Sequence, residues 1–273
     1  MRIQRIMKQQ QLKNDVKKYW NQASCGTEFI SQKKYSKEYF NAIETFRYTI
    51  EPEIFSFAQF TRFHGKKILE VGVGAGTDFT QWVRAGAHAY GIDLTEEAIR
   101  NVSHRLALEG LQAKELQIAD AEKLPYPDNF FDLTYSWGVI HHSPDTKQCL
   151  KELVRVTKPN GIIKVMIYNR HSLFAYYRWI LEALFKGKPL QSIKKILFFN
   201  QESPGTKAYT FKEAKTLFAD LSVSVVQHKA TVSNHDLLYY KNSFFQSLAY
   251  WGAALLGWNK VGWFMTIELQ KKP

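Results

Sequence analysis

The sequence is poor in cysteine. Of 273 residues only Cys25 and Cys149 carry a thiol, which leaves no disulfide framework and no C-x-x-C spacing for a structural metal. No metal site is expected, and a reducing cytoplasm is the expected compartment. Long apolar runs are also missing. The longest, 244–258, is interrupted by Gln246, Ser247 and Gly252 and is too short to cross a bilayer. Residues 1–18 are basic and polar, without the apolar core of a secretory signal. There is no internal repeat and no low-complexity linker.

Acid is the minority charge: 25 Asp and Glu stand against 37 Lys and Arg, for a net +12. Such an excess favours an anionic partner, whether nucleic acid, a membrane surface or an acidic substrate. The lysines are spread along the whole chain, however, which is the pattern of a solvated surface. Apolar content of 45% is ordinary for a globular protein.

Residues 1–60 read as helical, with loosely spaced apolar positions and an aromatic-rich stretch over 35–63. From Lys66 the pattern changes. Strands are predicted at 67–71, 87–92, 115–119, 131–136 and 161–167. Helices are predicted at 77–85, 97–108 and 145–156. The last should stop at Lys158-Pro159-Asn160-Gly161, where Pro cannot continue it and Gly suits a left-handed turn. An aromatic and basic segment, 169–209, breaks the alternation. It resumes with a helix at 210–220 and strands at 222–227 and 262–269. Alternation at this spacing predicts an α/β fold built on a doubly wound, mostly parallel, seven-stranded sheet.

Three features carry chemistry. The first is a strand leading through Glu70 into Gly72-Val73-Gly74-Ala75-Gly76 and a helix. Glycines there let a ligand approach the backbone outside the strand's carboxyl end. The second is Asp93, which ends the next strand, where a carboxylate can accept from ribose hydroxyls. That position serves a nicotinamide dinucleotide and an adenosyl ligand equally. The third is the run Asp120-Ala121-Glu122-Lys123-Leu124-Pro125-Tyr126-Pro127-Asp128-Asn129-Phe130-Phe131-Asp132, followed by His141-His142-Ser143-Pro144 before a helix.

In order and spacing, these features over residues 66–167 resemble the class I S-adenosylmethionine-dependent methyltransferase family, in particular its ubiquinone-methylase-like small-molecule branch. The resemblance implies a Rossmann-like methyltransferase fold and S-adenosyl-L-methionine as cofactor. It places Glu70, Gly72, Gly74 and Gly76 by the methionine part and Asp93 at the ribose, with Leu94 beside the adenine. Asp120 and Ala121 would meet the adenine edge, Trp137 would line the sulfonium, and Arg47 would face the cofactor carboxylate. His141, His142 and His171 are the candidate bases, with Tyr168 beside them. Residues 1–62 are then a cap over the cofactor site, to which Tyr19, Trp20 and Tyr35 contribute. Residues 63–273 form the methyltransferase domain, with 169–209 as substrate lid.

The Asn/Asp-Pro-Pro-aromatic tetrapeptide of amino-methylating nucleic-acid enzymes is missing after the fourth strand, which reads Ser136-Trp137-Gly138-Val139. Neither cysteine follows a proline, as cytosine methylation requires. No nucleic-acid partner is therefore expected. The expected function is methyl transfer to a small, lipophilic or aromatic acceptor at O, N or C. The alternative is a non-catalytic cofactor-binding scaffold or sensor. The aromatic face of 169–209 admits three readings: the roof of an apolar pocket, a peripheral membrane contact, or packing alone.

Overall fold

The computed structural model describes residues 2–238 and 243–273. Its centre is a sheet of order β3-β2-β1-β4-β5-β8-β7. The strands are β1 (Lys67–Val71), β2 (His88–Asp93), β3 (Glu115–Ile118), β4 (Phe131–Trp137), β5 (Thr157–Asn169), β7 (Val223–Ala230) and β8 (Phe264–Lys271). β1 to β5 pair in parallel, and β8 runs antiparallel between β5 and β7. The seven-stranded expectation is met on this path. A two-residue β6 (Ala208–Tyr209) adds to the end of β5.

The central parallel strands β1 and β4 are buried on both faces, as parallel strands under helices must be. Alternation assigns the faces. Ile68, Leu133, Tyr135, Met166 and Phe264 enter one core with Phe79, Trp82 and Val102. Leu69, Val71, Ile163, Val165, Ile267 and Leu269 enter the other with Leu150 and Leu153. The first core is covered by α4 (Thr77–Arg84) and α5 (Glu96–Leu108), the second by α6 (Thr146–Val156) and α9 (Phe211–Phe218).

The helix stop after α6 differs from expectation. β5 begins at Thr157, and Asn160, with φ 63°, takes the left-handed turn. Gly161 is needed for space instead: a Cβ there would lie 2.6 Å from Thr157 Cγ2 and 2.8 Å from the Lys158 carbonyl oxygen. Asn tolerates the left-handed region because its short amide can bond locally.

Before the sheet come α1 (Arg2–Gln22), α2 (Lys37–Ile50) and α3 (Glu53–Ala58). α1 is charged and polar, and it is tethered to the domain by Lys13 with Asp120 and Glu122, and by Lys17 with Glu96. The Glu97 backbone N–H also donates to Asn21 Oδ1. After β5 the chain forms α7 (Leu173–Trp179), a π turn at Ile180–Leu184 and α8 (Ile193–Asn200). Between β7 and β8 lie α10 (Asn234–Leu238) and α11 (Ser243–Leu256). Among the described residues no helix is long and apolar enough to cross a membrane.

Candidate active site

The pocket opens at the carboxyl ends of β1, β2, β4 and β5, where the strand order reverses between β1 and β4. This is where ligands bind in doubly wound sheets. β1 ends in Gly72 and Gly74, which take φ 85° and 51°. A Cβ on Gly72 would come within 2.2 Å of Val139 Cγ2, so the first glycine lets the loop pass under the β4–α6 connection. A Cβ on Gly74 would meet nothing within 4 Å, so this glycine leaves open space beside the backbone. Gly76 does not line the pocket. It precedes α4 and brings that helix to α5, where a Cβ would sit 3.0 Å from Val102 Cγ2.

Asp93 ends β2 in the pocket wall. Its Oδ2 accepts from the Gly74 N–H at 3.1 Å, and its Oδ1 from the N–H and hydroxyl of Thr95 at 3.0 and 2.8 Å. A carboxylate has about four acceptor positions, so Oδ2 keeps capacity for a ligand hydroxyl. Burial raises its pKa, and the donated N–H groups oppose that shift. Asp120 lines the same pocket two residues beyond β3, as do Leu94 and Ala121. Lys13 reaches it from α1 at 2.6 Å and bridges to Glu122 at 2.6 Å. Val16 and Trp20 of α1 extend the same wall.

Glu70, Asp78 and Glu51 make another part of the lining rich in acid. Glu70 accepts from Trp82 Nε1 at 2.8 Å. Burial, and then Asp78, hold its carboxyl well above the usual range. Asp78 takes Arg47 Nε and Nη2 at 3.3 and 3.1 Å and the hydroxyls of Tyr48 and Tyr135 at 3.2 and 3.0 Å. Arg47 Nη1 lies 3.6 Å from Glu51, which accepts from Trp137 Nε1 at 2.7 Å. Burial works against the Arg47 charge, but Asp78 and Glu51 more than offset it. Arg47 lines the pocket as expected of a carboxylate clamp, yet two protein carboxylates already hold it.

The candidate bases separate. His141 is fully buried against Tyr168, with ring centroids 4.0 Å apart, and does not line the pocket. Burial, and then His142, push its pKa well below the usual value. His171 is exposed and also outside the lining, because β5 runs on to Asn169 and its loop carries the ring away. Of the cap aromatics, Trp20 lines the pocket, whereas Tyr19 and Tyr35 do not. His142 does line it, but both ring nitrogens face protein. Nδ1 is 2.8 Å from Ser203 Oγ and 3.1 Å from Thr206 Oγ1, and Nε2 is 3.3 Å from Glu202 Oε2.

Glu202 is the residue that sequence reading missed. It lies on the loop after α8 with φ 54° and lines the pocket. Tyr168 donates its hydroxyl to both Glu202 oxygens. Burial raises the carboxyl, but His142 and Tyr168 outweigh it and hold it below the usual range.

These residues fit an adenosyl sulfonium ligand. Asp93 and Asp120 offer acceptors at a strand-end cleft, Gly74 leaves backbone open, and the lining carries more carboxylates than cations, which suits a positive centre. A family model described as a methyltransferase domain matches residues 69–165. The sterol 24-C-methyltransferase ERG6B of Gibberella zeae is 30% identical over 129 residues, which is 46% of this chain and 31% of that one. The demethylmenaquinone methyltransferase of Geobacillus stearothermophilus is 33% identical over 132 residues, 43% of this chain and 54% of that one. The chain thus spans less than two thirds of these relatives' length. In structure, an S-adenosylmethionine-dependent methyltransferase from Aquifex aeolicus superimposes with a TM-score of 0.54 at 16% identity, over 87% of this chain and 99% of the other. Residues 69–165 of the chain thus match a methyltransferase domain.

Proposed function

We propose that the chain transfers a methyl group from S-adenosylmethionine to a small, lipophilic or aromatic acceptor. The observation that carries this reading is one pocket lined by two unlike sets of residues. Gly72, Gly74, Asp93 and Asp120 make up one set, and Trp137, Tyr168, Phe264, His142 and Glu202 the other. The first group would hold the donor, with Glu70 and Arg47 toward its amino-acid part. The aromatic residues would hold the acceptor against it, so that catalysis is largely alignment.

Where the acceptor is an O–H or N–H, its proton must leave as the new bond to carbon forms. Glu202 would receive it, with His142 Nε2 3.3 Å from its Oε2. The segment 169–209 supplies Glu202, which supports its reading as part of the acceptor side. Cytoplasmic placement belongs to the same proposal and is supported by two cysteines that are both unpaired.

The test is transfer of labelled methyl from S-adenosylmethionine into lipid and aqueous extracts, followed by mass identification of the product. Label in a lipophilic small molecule is expected. Binding of S-adenosylhomocysteine without transfer to any fraction would instead favour a cofactor-binding scaffold.

A further inference from the structure

α11 is built inside out. Its inward positions are small: Ala249 and Ala253 are 6% and 0% exposed, and Gly252 lies against Leu173 of α7. Its large apolar residues point outward at helical spacing. Leu248, Trp251 and Leu255 are 51%, 70% and 86% exposed, with Tyr250 and Leu256 more than half exposed beside them. A surface helix normally shows the reverse pattern, and an apolar patch of this kind marks an interaction site.

The neighbouring insertion continues the theme. Phe185, Leu190 and Phe199 are exposed, and among them stand the exposed Lys186, Lys188, Lys194 and Lys195. No Asp or Glu occurs in 183–201 or in 243–260. Trp179 of α7 donates its Nε1–H to the Gln191 carbonyl and so ties the two halves of the insertion together. At 14 residues, α11 is about 21 Å long, short of the roughly 30 Å needed to span a bilayer.

We propose that α11 and the 184–199 segment dock on the surface of an anionic lipid bilayer. Apolar and aromatic side chains on α11 enter the acyl boundary, and the lysines meet the headgroups. A protein partner that covered the lysines would have to bring acid to them, whereas an anionic membrane presents it everywhere. The insertion that carries the lysines also carries Glu202 into the pocket. Docking there would let a lipophilic acceptor pass from the bilayer to the site, and that consequence rests on the function proposed above.

The binding is tested without activity, by co-sedimentation of the full chain with two kinds of vesicle. One is phosphatidylcholine alone, and the other is phosphatidylcholine mixed with phosphatidylglycerol. Binding to the mixed vesicles is expected, at least about tenfold tighter than to the neutral ones. The double variant Trp251→Ser/Leu255→Ser should weaken it by about tenfold or more. Lys194→Glu/Lys195→Glu should abolish the preference for phosphatidylglycerol. Both variants should still bind S-adenosylhomocysteine, which shows that they fold. Failure of the full chain to sediment with the mixed vesicles would overturn the proposal. So would sedimentation unaffected by either variant, or a dimer in solution that Trp251→Ser/Leu255→Ser breaks, since the occupant would then be a second copy. Methyl transfer to a water-soluble acceptor would remove the delivery role and leave the docking result standing.

Discussion

The Tyr168 hydroxyl donates to both oxygens of Glu202, at 2.9 and 3.0 Å. The pair joins the end of β5 to a loop more than thirty residues later, and it sets the ionisation of the one carboxylate on the acceptor side that also touches His142. Glu202→Gln is expected to lower kcat about 10²-fold while leaving S-adenosylhomocysteine binding intact. Tyr168→Phe removes a donor that holds the Glu202 carboxyl low, so the acid limb of the pH–rate profile should move to higher pH. A profile unchanged in Tyr168→Phe would show that Glu202 does not take the proton.

Gly72→Ala should destabilise the fold through two separable causes. The new methyl would strike Val139 side-chain carbons at 2.2 and 2.6 Å, and the φ of 85° strains any residue with a Cβ. A loss of about 2–4 kcal/mol is expected from overpacking and backbone strain together. Val139→Ala in the same chain should restore part of the steric loss and not all of it, because the Val139 Cβ would still lie 2.8 Å from the new methyl. Denaturant titrations of the four corners of this cycle measure both parts, and strictly additive values would contradict the contact.

Asp93→Ala should abolish measurable binding of S-adenosylhomocysteine by calorimetry. The carboxylate also ties Gly74 to Thr95, so a stability cost of about 1–2 kcal/mol should accompany the loss. Retained binding would move the ribose site elsewhere.

The contribution of Asp236 to stability should fall as pH rises from about 4 to 7. Asp236 is fully buried and accepts from the N–H groups of Ser233 and Trp263 at 3.0 and 2.9 Å. Burial raises its carboxyl to about 7. Between the unfolded pKa near 3.9 and that value, the folded chain holds a proton that the unfolded chain has released. The contribution is therefore complete below the lower pKa and is lost at about 1.4 kcal/mol per pH unit up to the higher one. Glu53, also raised to about 7 by burial, acts in the same sense. Unfolding titrations across that window should show stability declining less, or rising more, with pH in Asp236→Asn than in the parent chain, and an equal slope would refute the assignment.

The region around β1 to β5 was legible because its signals are local and periodic. Ile68 and Leu69 announce a strand buried on both faces, and Asp93 and Asp120 sit at predictable strand ends. Gly76 misled because its neighbour in space, Val102, is distant in sequence. Lys13 was hidden for a different reason: a lysine on a polar helix looks solvated until Asp120 is placed beside it. Glu202 had no pattern to betray it, since it sits in a loop and owes its role to Tyr168 and His142. His171 misled because β5 outran its predicted end. The inverted face of α11 was invisible because composition shows that residues are apolar and not which of them point outward.

The tether of α1 has a temporal consequence. The wall beside Asp120 is closed by a helix held through charges: Lys13 to Asp120 and Glu122, and Lys17 to Glu96. These pairs are partly exposed, and mobile ions weaken them as the screening length shrinks toward about 8 Å at physiological ionic strength. α1 gives Lys13, Val16 and Trp20 to the pocket wall, so loosening that clasp would ease exchange of whatever lies beneath it. The residence time of a bound adenosyl ligand should therefore shorten as the surrounding salt rises.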